Sequence, residues 1–120
     1  MSRTPMDETL LVTKALSDRH RLRILMLLTG GELCVCQVVA VLDLAASTIS
    51  KHLSVLTGAG LLLARKDGRW VHYRLALSAP ALDWLRAALA RDPAIRADRQ
   101  ALKQIKQQAP EDLCRQQRPN

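Results

Sequence analysis

From Glu8 the chain reads ETLLVTKAL, and its apolar positions Leu10, Leu11, Ala15 and Leu16 make one stripe of a short amphipathic helix over 8–16. Ser17 or Asp18 can cap a second helix, DRHRLRILMLL, with Leu22, Ile24, Leu25, Leu27 and Leu28 as its buried set before Gly30 and Gly31 stop it. The pattern predicts a third helix over 33–42, a break at DLAAS, and a fourth helix, STISKHLSVLTG. Ile49, Leu53 and Leu56 recur at spacings of four and three on the inner face of that fourth helix, and Gly58 and Gly60 end it. The period then changes. LLLARKDGRWVHYRL is two strand-like runs about Asp67-Gly68, a two-residue hairpin signal. Helical spacing returns after Pro80 with Leu82, Leu85 and Leu89, and Asp92-Pro93 opens a further, polar helix. Residues 109–120, rich in Pro, Gln and charge, read as a mobile tail. The expected division is a folded domain over 1–91 and a polar helix with a flexible tail over 92–120.

The fold class is therefore mainly α with a small β-hairpin. Composition agrees: 48% of residues are hydrophobic, yet Trp70, Trp84 and Tyr73 are the only aromatics, so the core is aliphatic. The formal charge of +7, from 18 Lys and Arg against 11 Asp and Glu, favours a polyanionic partner. No apolar run approaches the ~20 residues that span a bilayer, no basic amphipathic helix with aromatic anchors stands out, and the polar opening Ser2–Glu8 lacks a signal-peptide pattern. A cytoplasmic protein without a membrane partner is expected. No nucleophile–base pair or phosphate-binding loop occurs, so neither an enzyme nor a resident cofactor is expected.

Two helices joined by a tight break and followed by a basic hairpin describe a winged helix-turn-helix, whose second helix enters the major groove of double-stranded DNA. The outer face of that helix offers Ser47, Thr48, Ser50, Lys51, His52 and Ser54, short hydrogen-bonding groups and one cation suited to base edges and phosphates. The hairpin adds Arg65, Lys66, Arg69 and Arg74 around Gly68, placed to reach phosphates or a narrow minor groove.

Cys34 and Cys36 sit in GGELCVCQVV, within an otherwise core-like stretch. Their spacing is poor for a structural disulfide, and three cysteines are an odd number, so reduced thiols are expected. On an ideal helix residues i and i+2 point about 200° apart, so the pair are either small buried residues or ligands whose joint use unwinds the helix.

The runs LSDRHRLRIL, GELCVCQVV, LAASTISKHLSVLTGAGLL and RKDGRWVHYRL resemble, in unbroken order over residues 8–91, the ArsR/SmtB family of metal-sensing repressors. The resemblance implies a homodimer paired through the first and last family helices and released from operator DNA by a metal or metalloid. ELCVC is similar to the arsenite-sensing branch, which makes Cys34 and Cys36 ligands of As(III) or Sb(III) and carries the recognition role to Ser47, Thr48, Ser50 and His52. The sequence departs from the family pattern in three respects. Ala45-Ala46 replaces a Ser–Gln pair at the start of the recognition helix, Gln37 an acidic residue, and Val39 a third cysteine. Trivalent arsenic prefers three sulfur ligands, and Cys114 is the one other thiol, so a tail reaching back to either subunit's site is the candidate third ligand. The rival signals are other thiophilic ions (Cd, Hg or Pb) and thiol oxidation, acting on the same DNA-binding module. In this reading, inducer uptake unwinds the helix that carries the thiols and so disturbs the recognition helix after it.

Overall fold

The computed structural model describes residues 2–77 and 79–117. Seven α-helices and three short strands follow in the order α1 (Pro5–Leu16), α2 (Arg19–Leu27), β1 (Leu33–Cys34), α3 (Val35–Leu42), α4 (Ala46–Gly58), β2 (Leu62–Asp67), β3 (Trp70–Leu75), α5 (Pro80–Leu89), α6 (Pro93–Ile105) and α7 (Pro110–Gln117).

Local signals set the helix starts. The α1 helix begins at Pro5, three residues before the expected start at Glu8, because Thr4 and Asp7 exchange backbone-to-side-chain hydrogen bonds of 3.1 Å in a capping box. Asp18 caps α2 by accepting from the His20 and Arg21 amides, and Asp92 caps α6 in the same way. At α4 the N-cap is Ala45, which makes no side-chain cap bond, as the missing Ser–Gln pair implied. The chain bends by 116° between α3 and α4, the angle of a helix-turn-helix, and Asp43 closes α3 in the left-handed region at φ 55°.

The helices share one aliphatic core. Ile24, Leu25 and Leu28 meet Val38 of α3, Ile49, Leu53 and Leu56 of α4, and Leu61 and Leu62 beside the hairpin. The hairpin turn is Gly68-Arg69, one residue beyond the Asp67-Gly68 pair, since Asp67 pairs with Trp70; Gly68 at φ 63° takes the left-handed first position. The sheet has three strands rather than two. β1 lies on the free edge of β3, with Leu33 opposite Tyr73 and Cys34 opposite His72, giving the antiparallel order β1-β3-β2.

Two further expectations change. The third helix starts at Val35, so Cys34 precedes it in extended conformation (φ −74°, ψ 148°). The segment expected as a mobile tail is helical over Pro110–Gln117, with Leu113 and Cys114 buried; residues 118–120 lie outside the described residues. α6 inserts Ile95 and Leu102 into the main core and presents Asp98 to Arg23 of α2 in a bidentate ion pair (Nε–Oδ2 2.8 Å, Nη2–Oδ1 2.9 Å). That pair and those side chains hold the C-terminal helices against α2 and α3. Among the described residues no single helix is long and apolar enough to cross a membrane.

Candidate functional site

Cys34, Cys36 and Cys114 converge. Their three Sγ atoms lie within 4.8 Å of one another, and among the described residues they are the only group of three or more His, Cys, Asp or Glu side chains placed to hold a metal ion. Cys34 Sγ is 3.9 Å from Cys114 Sγ, while Cys36 and Cys114, 78 residues apart, are joined as a disulfide with Cα atoms 5.2 Å apart. All three are buried, in a small cluster with Leu113 against Val35, Ala40, Trp70 and Ile105.

The sequence places them there by a capping device. Gln37, the third residue of α3, accepts the Cys34 amide on Oε1 at 2.9 Å, which starts the helix after Cys34 and leaves Cys36 in its first turn. The 200° objection therefore does not apply, because Cys34 is not a helical residue. Both side chains reach one point with α3 intact, so the expected unwinding is not required. From the other side Gln117 of α7 donates to the Cys36 carbonyl at 2.9 Å, fastening the helix that carries Cys114. Gln37, read in the sequence only as a departure from an acidic residue, stands three residues after Cys34, the spacing of a capping box that could have pointed to it; Gln117 and Trp70 carry no comparable sequence signal.

Chemically, three soft sulfurs around one point suit a thiophilic ion, and a pair of them can instead hold a disulfide. The two uses exclude each other, since the disulfide consumes the Cys36 and Cys114 thiols. No histidine joins the group. His20 and His52 lie against one another, tilted by 48°, with ring centroids 5.9 Å apart, and His72 lies 4.0 Å from Glu32.

Of the residues expected to face DNA, Ser47, Thr48, Ser50 and Lys51 are exposed along α4. His52 is turned partly inward, with Nδ1 3.3 Å from Arg21 Nη1, and burial leads the effects that hold its pKa below the usual histidine value. In the wing Lys66, Arg69 and Arg74 are exposed. Arg65 is engaged: Nη2 donates to Glu32 Oε1 at 2.6 Å and Nε donates to Oε2 at 3.2 Å. The hydrogen bond from Arg65 lowers the Glu32 pKa, and the same bond raises that of Arg65. Glu32 stands 33 residues from its partner, and no spacing rule pointed to it.

Residues 18–62, from the α2 cap to the first residue of β2, match the family described as bacterial regulatory protein, arsR family. Over 93 residues the chain is 46% identical to the arsenical resistance operon repressor of Escherichia coli K12, covering 77% of this chain and 76% of that one. The chain belongs to the ArsR family. ArsR-family proteins are transcriptional regulators rather than enzymes, and the matched segment is the helix-turn-helix itself. The ArsR fold is supported independently by a solution structure from Mycobacterium bovis, a homodimeric winged helix-turn-helix DNA-binding domain of a possible ArsR-family regulator. It is 33% identical with a TM-score of 0.61, covering 71% of this chain and 77% of that one. A cadmium resistance regulatory protein CadC homologue from Staphylococcus aureus is 43% identical over 72 residues, 59% of each chain.

Proposed function

We propose that this chain is a cytoplasmic homodimeric repressor that binds double-stranded operator DNA and releases it when As(III) or Sb(III) is bound by Cys34, Cys36 and Cys114. The observation that carries the reading is the convergence of three buried sulfurs within 4.8 Å. The name of the Escherichia coli relative supports the arsenical inducer. The homodimeric Mycobacterium domain supports pairing, as do Met6 and Leu10 on α1 and Trp84 on α5, large apolar side chains left exposed on the two helices expected to pair.

The reaction is ligand exchange without redox change. Each arsenic–hydroxyl bond of arsenite is replaced by an arsenic–sulfur bond, and each thiol proton leaves with the hydroxyl as water. The Cys36–Cys114 disulfide is first reduced by two cellular thiols, which exchange onto it in turn, leave as their own disulfide and return both cysteines as thiols. Charge then favours the trivalent inducer. Three thiolates on As(III) form a neutral unit, whereas three thiolates on a divalent ion leave one negative charge among Leu113, Val35, Ala40, Trp70 and Ile105. Burying an unpaired charge is costly. Cadmium, suggested by the Staphylococcus relative, is the second reading, and the same argument sets it below arsenite.

DNA contact is assigned to Ser47, Thr48, Ser50, Lys51 and His52 on α4 and to Arg65, Lys66, Arg69 and Arg74 on the wing. The test is release of the reduced protein from an operator duplex, titrated with arsenite, antimonite and Cd²⁺. Arsenite releases the wild type, while Cys34→Ser and Cys36→Ser bind DNA and do not release it. If both variants respond as the wild type does, these thiols are not the inducer ligands.

A further inference from the structure

The segment that carries the first two thiols is tied to the wing at three points. Cys34 is part of β1 and lies opposite His72 of β3. Two residues earlier, Glu32 holds Arg65 of β2 through two hydrogen bonds and lies 4.0 Å from His72. From the wing side, Trp70, the first residue of β3 after the turn, packs on the thiol cluster. The recognition helix is further away along the chain. It follows the opposite end of α3, whose eight residues span about 12 Å, and the break at 43–45 intervenes. Of the two DNA-reading elements, the wing is the one built onto the strand of Cys34.

Arg65 has two partners that cannot be served together. A guanidinium that presents its Nε and Nη2 hydrogens to a carboxylate cannot offer the same fork to a phosphate. The pair with Glu32 is weak enough to be exchanged, because the side chains are 51% and 29% exposed. Its persistence depends on where Glu32 stands, and Glu32 immediately precedes an edge strand only two residues long.

We propose that Glu32 is a positioning residue that keeps Arg65 away from DNA when the thiol site is occupied, so that the wing reports inducer binding directly. The proposal rests on the inducer reading above. Without inducer, no bond ties Cys34 to Cys36 or Cys114, β1 is held only by its two-residue pairing with β3 and the Gln37 cap, and a DNA phosphate draws Arg65 from Glu32. With one arsenic bonded to Cys34, Cys36 and Cys114, β1 is fixed to both α3 and α7, Glu32 is held in place, and Arg65 stays with it. Inducer and DNA therefore favour opposite states of one ion pair, which is the differential affinity that coupling requires.

The experiment measures operator-duplex affinity against salt concentration for the reduced full chain, with and without arsenite, in wild type, Glu32→Gln and Glu32→Asp. A count of arsenic–sulfur neighbours by X-ray absorption accompanies each. In the wild type, arsenite lowers affinity and removes about 0.9 per protomer from the salt slope, the signature of one lost phosphate contact. Glu32→Gln binds arsenite with the same sulfur count, its affinity falls at least fivefold less, and its salt slope stays constant; Glu32→Asp recovers part of both changes. An arsenite-dependent fall and slope change in Glu32→Gln equal to the wild type overturns the proposal. Should Glu32→Gln not fold, Arg65→Gln tests the pair from the other side: a constant slope supports the proposal and a wild-type slope change overturns it. A wild type that binds no arsenite, or binds it and keeps its DNA, overturns the inducer reading itself and the proposal with it.

Discussion

Asp98→Asn tests how the C-terminal helices are held. Asp98 is buried on α6 and takes both forks of Arg23, whose side chain is 19% exposed against 8% for Asp98. Breaking a fully buried pair by removing one partner costs about 3–5 kcal/mol. The exposed edge of Arg23 allows partial rehydration, and the amide retains one acceptor, so about 2 kcal/mol is the working figure. For a chain of this size that is a fall in Tm of roughly 6–10 °C, read by calorimetry at one fixed protein concentration because the Tm of the proposed dimer would depend on it. The functional consequence follows from chain order. α6 leads into α7, so loosening α6 lowers the population with Cys114 docked and weakens arsenite binding more than DNA binding. Replacing both partners, Arg23→Met with Asp98→Leu, recovers most of the stability, since no charge is then left unpaired. A shift under 2 °C in Asp98→Asn, or a double variant as unstable as the single one, refutes the reasoning.

Gln37→Ala removes the acceptor for the Cys34 amide and costs about 1–2 kcal/mol in urea unfolding; unchanged stability would mean that the capping bond does not set the start of α3. Arg69→Ala, at the turn of the wing, lowers the salt slope of DNA binding by about 0.9 per lost phosphate contact, and an unchanged slope removes Arg69 from the interface. His52 titrates below its unfolded value of about 6.5 because burial disfavours the charged ring, so the unfolded chain binds the proton first as pH falls. Folding stability is therefore lost as pH drops from about 6.5 towards that lowered value, and urea unfolding at pH 7.5 and 5.5 shows a smaller loss in His52→Gln; equal losses contradict it.

The inner face of α4 and the hairpin were legible because long periodic segments carry their own burial pattern: Ile49, Leu53 and Leu56 are all fully buried as their spacing implied, while on α2 the expected set missed the buried Met26 and included Leu22, which is only partly buried. β1 was not legible, since two residues have no period, and the apolar run from Leu33 to Val39 does not itself say where α3 starts. Gln37 decides that by a single hydrogen bond. α7 was misread for a different reason. Pro110, Glu111 and Asp112 are proper helix-start residues, but only Leu113 and Cys114 of its eight residues are buried, so a packed helix has the composition of a solvated tail. Arg65 was read as a free cation because its carboxylate comes from a distant turn. Site residues local to one element were thus visible in the sequence, and those defined by a partner across the fold were not.

The most direct test of the three-sulfur site is arsenic X-ray absorption on the reduced, arsenite-loaded full chain in buffer free of small thiols, comparing the wild type with Cys114→Ser. Three sulfur neighbours are expected in the wild type and two, with an oxygen in the third place, in the variant, together with weakened release of DNA. Two sulfurs in the wild type, or three in Cys114→Ser, would contradict it.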